Sequence, residues 1–144
     1  MDFKVDDCII FQLAKAGQAG TRYWAGRVAP FGITAAQGMV LNFLGREDEL
    51  TSRELSRRTS LDSATITGIL DRLEAAGFIE RRPHPEDRRA ILICLTSAGR
   101  KIAGELYDTM VRANEEFLAG LSAREQLALR TLLGKVRQNP PGGE

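Results

Sequence analysis

The chain has one histidine, His84, and two cysteines, Cys8 and Cys94, so the side chains that bind transition metals or act as strong nucleophiles are scarce. Zinc, iron-sulfur and haem sites need fuller ligand sets than these, so no metal and no cofactor is expected. His84 stands in the charged stretch Pro83-His84-Pro85-Glu86-Asp87-Arg88-Arg89 with no nucleophile assigned beside it, and Ser97 and the other hydroxyls have readier roles as helix caps. An enzyme is not expected. The abundant charged group is the arginine guanidinium, a planar fork suited to binding phosphate and carboxylate.

With 144 residues, 43% of them hydrophobic, the chain suits one domain, residues 1–144, with a sizeable core. A formal net charge of +1 makes no global case for nucleic acid, but the charge is uneven. Thr51 to Lys101 holds ten basic and seven acidic residues, net +3, and the remainder ten and twelve, net −2. The middle of the chain has the sign that a phosphate-binding face needs. No apolar run approaches the ~20 residues that span a bilayer, and MDFKVDDCII is acidic where a secretory signal is basic. A cytoplasmic protein with reduced thiols and no membrane partner is expected.

The elements that must hold the arginines in place start at marked positions. Thr34-Ala35-Ala36-Gln37, Thr51-Ser52-Arg53-Glu54 and Ser122-Ala123-Arg124-Glu125 each have the hydroxyl and Glu/Gln spacing of a capping box, and Asp62 offers an N-cap carboxylate before Ser63-Ala64-Thr65. The spacing predicts short helices over Thr51 to Thr59, anchored by Leu55, and over Asp62 to Ala76, striped by Ile66, Ile69, Leu70 and Leu73 and ended by Gly77. A third helix, Thr34 to Leu44, must close their core, which makes a helix-turn-helix with Asp62 to Ala76 as its second helix. Phe78 to Arg82 and Ala90 to Leu95 read as a hairpin with a long charged tip, and Thr96-Ser97-Ala98-Gly99 opens a long helix followed by another over Leu121 to Arg137.

Val5 to Val28 is also helical in spacing, but Gly17, Gly20 and Gly26 predict either a kink or a backbone packed close by. The terminal segments, residues 5–30 and 98–138, are too apolar for a monomer's outer surface and are read as a dimerisation region flanking a lobe at 34–96. The tail, residues 139–144, reads as disordered. The fold class is mainly α with a small β-hairpin wing.

Three segments together, Leu70-Asp71-Arg72-Leu73-Glu74-Ala75-Ala76-Gly77-Phe78-Ile79-Glu80-Arg81, Pro85-Glu86-Asp87-Arg88-Arg89-Ala90 and Leu95-Thr96-Ser97-Ala98-Gly99, resemble the MarR family of bacterial winged helix-turn-helix regulators. The likeness extends from about Val5 to about Val136. It implies a homodimer that places two recognition helices in the major groove of a roughly palindromic, double-stranded operator, with the wings toward the minor groove. Repression relieved by an effector is the expected mode.

The resemblance makes Arg89 the arginine that enters the minor groove and Asp87 the carboxylate that orients it, with Arg88 beside them. Ser63, Ala64, Thr65, Thr67 and Gly68 lie in the half of the second helix that meets base edges and phosphate, and Arg72 one turn further. Thr51, Ser52 and Arg53 are expected at phosphates, while Arg57 and Arg58 can also pair with Glu54. The family further implies a small aromatic effector or a reactive cysteine. Tyr23, Trp24, Phe31, Met39, Phe43, Tyr107 and Met110 are the candidate pocket residues, with ordinary core as the alternative. Cys8 is the candidate redox thiol, but alignment with the peroxide-sensing branch puts its cysteine at Ile10 and its tyrosine partner at Trp24. A two-residue shift turns a helical side chain by about 200°. A winged-helix protein-interaction module without DNA binding is the competing class, opposed by the intact Asp87 and Arg89.

Overall fold

The computed structural model describes residues 3–138. After a 3-10 turn at Val5–Asp7, α1 spans Ile9–Val28, and a second turn at Ala29–Phe31 leads to α2, Ala35–Arg46. A short β1, Leu50–Thr51, precedes α3, Ser52–Thr59, and α4, Ser63–Ala75. β2, Ile79–Pro83, and β3, Ile91–Leu95, form the hairpin, and α5, Ser97–Phe117, and α6, Ala123–Gln138, complete the chain. The tail expected to be disordered lies outside the described residues.

The helices begin where the capping pattern places them. Thr34 Oγ1 accepts the Gln37 N–H at 3.2 Å while Gln37 Oε1 accepts the Thr34 N–H at 2.9 Å. Thr51 with Glu54, and Ser122 with Glu125, repeat this reciprocal pair. Asp62 Oδ1 takes the Thr65 N–H at 2.7 Å. Each pair satisfies amides that have no partner inside the helix and so fixes its first turn.

Two expectations change. The wing has three strands, in the order β1-β3-β2, because Leu50 and Thr51 pair with Ile93 and Leu92 just before α3 starts. Two residues carry no readable alternation, which is why the strand escapes a sequence pattern. α1 is a single helix, and no backbone crowds its glycines: a Cβ at Gly17 or Gly26 would meet nothing within 4 Å, and one at Gly20 would only touch the Phe117 ring at 3.9 Å. Gly17 and Gly20 instead leave room for a cavity beside α1.

Leu41 and Leu44 of α2 meet Leu55 of α3, Ile66, Leu70 and Leu73 of α4, Ile93 of β3 and Leu106 of α5 in one core, all of them buried. The two helices of the helix-turn-helix thus bury their apolar faces against α2 and α5 rather than only against each other. The turn between them is tight: Ser60 adopts a left-handed conformation at φ 58°, and the Thr59 hydroxyl accepts the Leu61 N–H at 3.3 Å.

The lobe is bolted to α5 at one joint. α4 ends in a Schellman turn, in which Phe78 N–H donates to Leu73 O and Gly77 N–H to Glu74 O, both at 3.0 Å, with Gly77 at φ 82°. Immediately above, Thr96 N–H donates to Phe78 O at 3.1 Å and the Thr96 hydroxyl to Gly77 O at 2.6 Å, while Thr96 Oγ1 caps the Gly99 N–H at 3.0 Å. A Cβ on Gly99 would stand 1.9 Å from Phe78 O, so no other residue fits without moving the strand or the helix. Asp48 ties the far side, accepting the Leu95 N–H at 3.0 Å and the Glu49 N–H at 2.9 Å.

Gly99→Ala is therefore expected to destabilise the fold by at least about 1–3 kcal/mol, read as a lower urea midpoint with an unchanged slope. The caps add a pH term. The Thr65 amide holds the Asp62 carboxyl below the usual carboxylate range, as the Thr51 amide does for Glu54. A depressed carboxylate stabilises fully above its unfolded pKa and stops doing so as pH falls through its folded value. Asp62→Ala should lower the thermal midpoint at neutral pH, and the gap from wild type should close on acidification; a gap independent of pH would show that the carboxylate is not the cap.

Candidate nucleic-acid interface

The face of α4 opposite the core is open. Ser63, Ala64, Thr65, Thr67 and Arg72 are exposed and Gly68 is half-buried, while Ile66, Ile69, Leu70 and Leu73 point inward. The Thr67 hydroxyl donates to Ser63 O at 2.8 Å, which leaves its oxygen free to accept. A Cβ at Gly68 would meet nothing within 4 Å, so packing inside this chain does not require glycine there.

Beside this face, the angle between α3 and α4 forms a concavity of about 1010 Å³ whose walls include Ser52, Arg53, Arg57 and Ser63. The concavity brings together three of the expected contacts and adds Arg57. The Thr51 hydroxyl is not free: it accepts the Glu54 N–H at 3.1 Å and donates to the Glu54 carboxylate at 3.1 Å. Thr51 serves the helix start.

Ion pairing separates the arginines of the lobe into two groups. Arg58 pairs with Glu47 at 2.7 Å and not with Glu54. Arg81 forks onto Asp71 at 2.8 Å and Glu74 at 2.7 Å, occupying the two carboxylates that neighbour Arg72 in sequence and tying β2 to α4. Arg82 pairs with Glu80, and Arg100 lies 3.7 Å from Asp48. Among the described residues, Arg53, Arg57, Arg72, Arg88 and Arg89 make no ion pair, and all five are exposed. They lie on α3, on the outer face of α4 and at the wing tip, where their guanidinium groups are not engaged by a carboxylate.

At the tip, Asp87 Oδ1 accepts the backbone N–H of Arg89 at 2.9 Å. The carboxylate thus sets the course of the Arg89 backbone, where the resemblance implied a hold on the guanidinium. His84, without an assigned role in the sequence, supplies a second anchor through Nδ1. The only sequence signal for it is its place between two prolines, just before the Asp-Arg-Arg triplet.

The seven candidate pocket residues separate. Trp24 and Met39 line both a cavity of about 410 Å³, which also reaches Thr21, Thr59 and Leu61, and a smaller one of about 170 Å³ that includes Tyr23 and Met110. Phe31 and Phe43 pack against the core instead, and Tyr107 lines a different concavity between α2 and α5. The Trp24 indole N–H donates to Ala35 O at 3.0 Å, which fixes its ring as the shared wall. Tyr23 donates its hydroxyl to Glu116, a contact that holds Glu116 below and the phenol above its usual range, and Arg27 joins Glu116 at 3.0 Å. Thr59 and Leu61 have no sequence mark as lining residues, because they belong to the turn of the helix-turn-helix.

Cys8 is half-buried at the N-cap of α1, and Cys94 lies in the core on β3, where burial pushes its thiol up and away from the reactive thiolate. The two are not bonded to each other. Among the described residues no three His, Cys, Asp or Glu side chains gather to hold a metal ion, and no single helix is long and apolar enough to cross a membrane.

Comparison with known proteins agrees with this geometry. Residues 31–90 match the MarR family. The multiple antibiotic resistance protein MarR of Escherichia coli is 36% identical over 110 residues, 76% of each chain. The structure of a cysteine-to-serine variant of that protein complexed with operator DNA superposes with a TM-score of 0.83 at 31% identity, covering 94% of this chain and 99% of the other. The PcaV transcriptional regulator of Streptomyces coelicolor, in complex with its natural ligand, superposes with a TM-score of 0.84 at 29% identity, over 96% and 97%. An outward α4, a three-stranded wing and this likeness over most of the length lead to one conclusion: the chain belongs to the MarR family of DNA-binding transcriptional regulators, proteins of the winged helix-turn-helix fold that are not enzymes.

Proposed function

We propose that the protein is a homodimeric cytoplasmic repressor that reads a roughly palindromic operator through α4 and the wing and is released by a small aromatic effector. The observation that supports DNA contact most directly is the set of five unpaired arginines around the outer face of α4. Arg53 and Arg57 are assigned to phosphates, Ser63, Ala64, Thr65, Thr67 and Gly68 to the major groove, Arg72 to a flanking phosphate, and Arg88 and Arg89 to the minor groove. That the Escherichia coli relative with this fold is complexed with operator DNA supports DNA as the partner.

The exposed apolar ends of the molecule support pairing with a second copy of the chain. α6 buries none of its residues, although Leu127 and Leu132 are 66% and 58% exposed, and Ile9 and Ile10 at the start of α1 are 60% and 75% exposed. An isolated helix of this length is marginal in water, and an apolar surface of this extent marks an interface. Pairing residues 5–30 and 98–138 across a two-fold axis would cover it and set the α4 helices about one DNA turn, roughly 34 Å, apart.

The cavity of about 410 Å³ is the proposed effector site. It joins α1 to the turn between α3 and α4, so a ligand there would bear on both the dimerisation helices and the reading head. Its lining has no charged residue, which favours a neutral aromatic over a carboxylate.

Selection of bound duplexes from a random library, followed by anisotropy titration at several salt concentrations, tests the reading. Arg89→Ala should cost tenfold or more in affinity, about 1–3 kcal/mol, with relaxed preference at the flanks. Arg57→Ala should flatten the salt slope by about two per dimer with little change in sequence preference. Unselective binding by wild type would instead favour the protein-interaction module. Gly68→Ala separates packing from recognition: it should stabilise α4 by about 0.5–1 kcal/mol and yet weaken operator binding, because the added methyl meets DNA and not protein. Unchanged or tighter binding by this variant would remove Gly68 from the interface.

A further inference from the structure

The tip of the wing closes around one acceptor atom. His84 Nδ1 accepts the backbone N–H of Glu86 and that of Asp87, each at 3.1 Å. The His84 backbone N–H donates to Ala90 O at 3.2 Å, and the Ala90 N–H donates to Asp87 O at 3.1 Å. Asp87 Oδ1 in turn holds the Arg89 N–H. Pro83 and Pro85 flank the histidine and have no N–H to offer, so the amides that the imidazole organises are those of the two residues leading into Arg88 and Arg89. Without the Nδ1 lone pair, both amides lose their partner and Asp87 loses the anchor that places its carboxylate under Arg89.

We propose that His84 is a positioning residue for DNA recognition: neutral and protonated on Nε2, it holds the wing tip in the shape that presents Arg88 and Arg89, and protonation of Nδ1 releases that tip and weakens binding. The inference rests on the reading that the wing contacts DNA. Histidine is the side chain whose ordinary titration falls between pH 5 and 8, the range over which the proposal is tested.

Protonation has two opposed effects. A new positive charge would strengthen attraction to phosphate. A lost acceptor would loosen the arginines. The ionisable residues nearest to His84 along the hairpin are Arg82 of β2 and Glu86, Asp87, Arg88 and Arg89 of the tip, whereas Ala90 and the first residue of β3, Ile91, are not ionisable. The charge acts in exposed surroundings, where salt screens it over about 8 Å, while the hydrogen bonds are short-range and unaffected by salt. At physiological salt the loss of the acceptor prevails, so acid weakens binding, opposite in sign to a histidine that acts only through its charge.

The experiment uses tag-free protein, whose one histidine gives one imidazole signal, and the duplex enriched by wild type from a random library. Binding is followed by anisotropy from about pH 8 to about pH 5.5 for wild type, His84→Asn, His84→Ala and Arg89→Ala. Asparagine keeps an acceptor oxygen near the Nδ1 position and does not titrate in this range. Wild type is expected to lose about tenfold more affinity on acidification than His84→Asn, and His84→Ala to be about tenfold weaker than His84→Asn at both ends, so that wild type falls to meet it in acid. Nitrogen chemical shifts should place the proton on Nε2 at the alkaline end, and the Glu86 and Asp87 amide signals should move with the imidazole titration. Wild-type binding that tightens in acid, or His84→Asn as weak as His84→Ala, overturns the inference. Weak Arg89→Ala beside His84→Ala that binds like wild type at the alkaline end overturns it alone; Arg89→Ala that binds like wild type removes the wing contact and the inference with it.

Discussion

The contact on which the rest depends is the close approach of Gly99 to the Phe78 carbonyl, where a Cβ would stand at 1.9 Å. It lets the first turn of α5 sit directly on the residue that ends the Schellman turn of α4, and Thr96 stitches the two with bonds to Gly77 and Phe78. α4 and α5 therefore share one short, hydrogen-bonded joint. A rigid joint of this kind transmits a change in the angle of α5 to α4 as movement of a body, without unfolding either helix.

The same joint explains why so much of the fold is legible in the chain. The Leu-Thr-x-x-Gly segment is readable because three of its residues have fixed roles: Leu95 enters the core, Thr96 caps α5 and bonds to the end of α4, and Gly99 makes room. Helix starts are equally plain, since Thr34, Thr51, Asp62 and Ser122 each reach an amide three residues on, and a spacing of three is visible in one dimension. What escapes is set by contacts between residues distant in sequence. β1 exists only because β3 returns beside Leu50, and the glycines of α1 look like breaks until the cavity beside Gly17 and Gly20 is seen.

The interface is legible as composition and less so as pairing. An excess of arginine over Thr51 to Lys101 reads directly from the chain, but which arginines remain available does not. Arg81 takes Asp71 and Glu74 across the α4–β2 corner and so leaves Arg72 exposed without a partner, an outcome decided by the strand's return path and not by neighbours along the helix. Such surface pairs contribute little to stability, a median near 0–1 kcal/mol. Their larger effect is on availability: by engaging Glu47, Asp71, Glu74 and Glu80 they leave Arg53, Arg57, Arg72, Arg88 and Arg89 without an ion-pair partner.

On the proposed reading, release from the operator needs only a small bias. A coupling of about 1–3 kcal/mol changes affinity by roughly 5–150-fold, and burying a few methylene groups supplies as much. The cavity beside Trp24 lies where burial of that size can differ between two arrangements, since one wall is α1 and another is the Thr59–Leu61 turn. That turn already holds Ser60 in a left-handed conformation. A ligand that filled the space under it would act on Ser60, one of the two non-glycine residues held at positive φ among the described residues, while the joint at Gly99 kept α4 fixed to α5. On this reading α4 is tied to α5 at its carboxy-terminal end by the Gly99 joint and borders the cavity at its amino-terminal end through the Thr59–Leu61 turn, so a ligand in the cavity would bear on one end of the helix while the other stayed joined to α5.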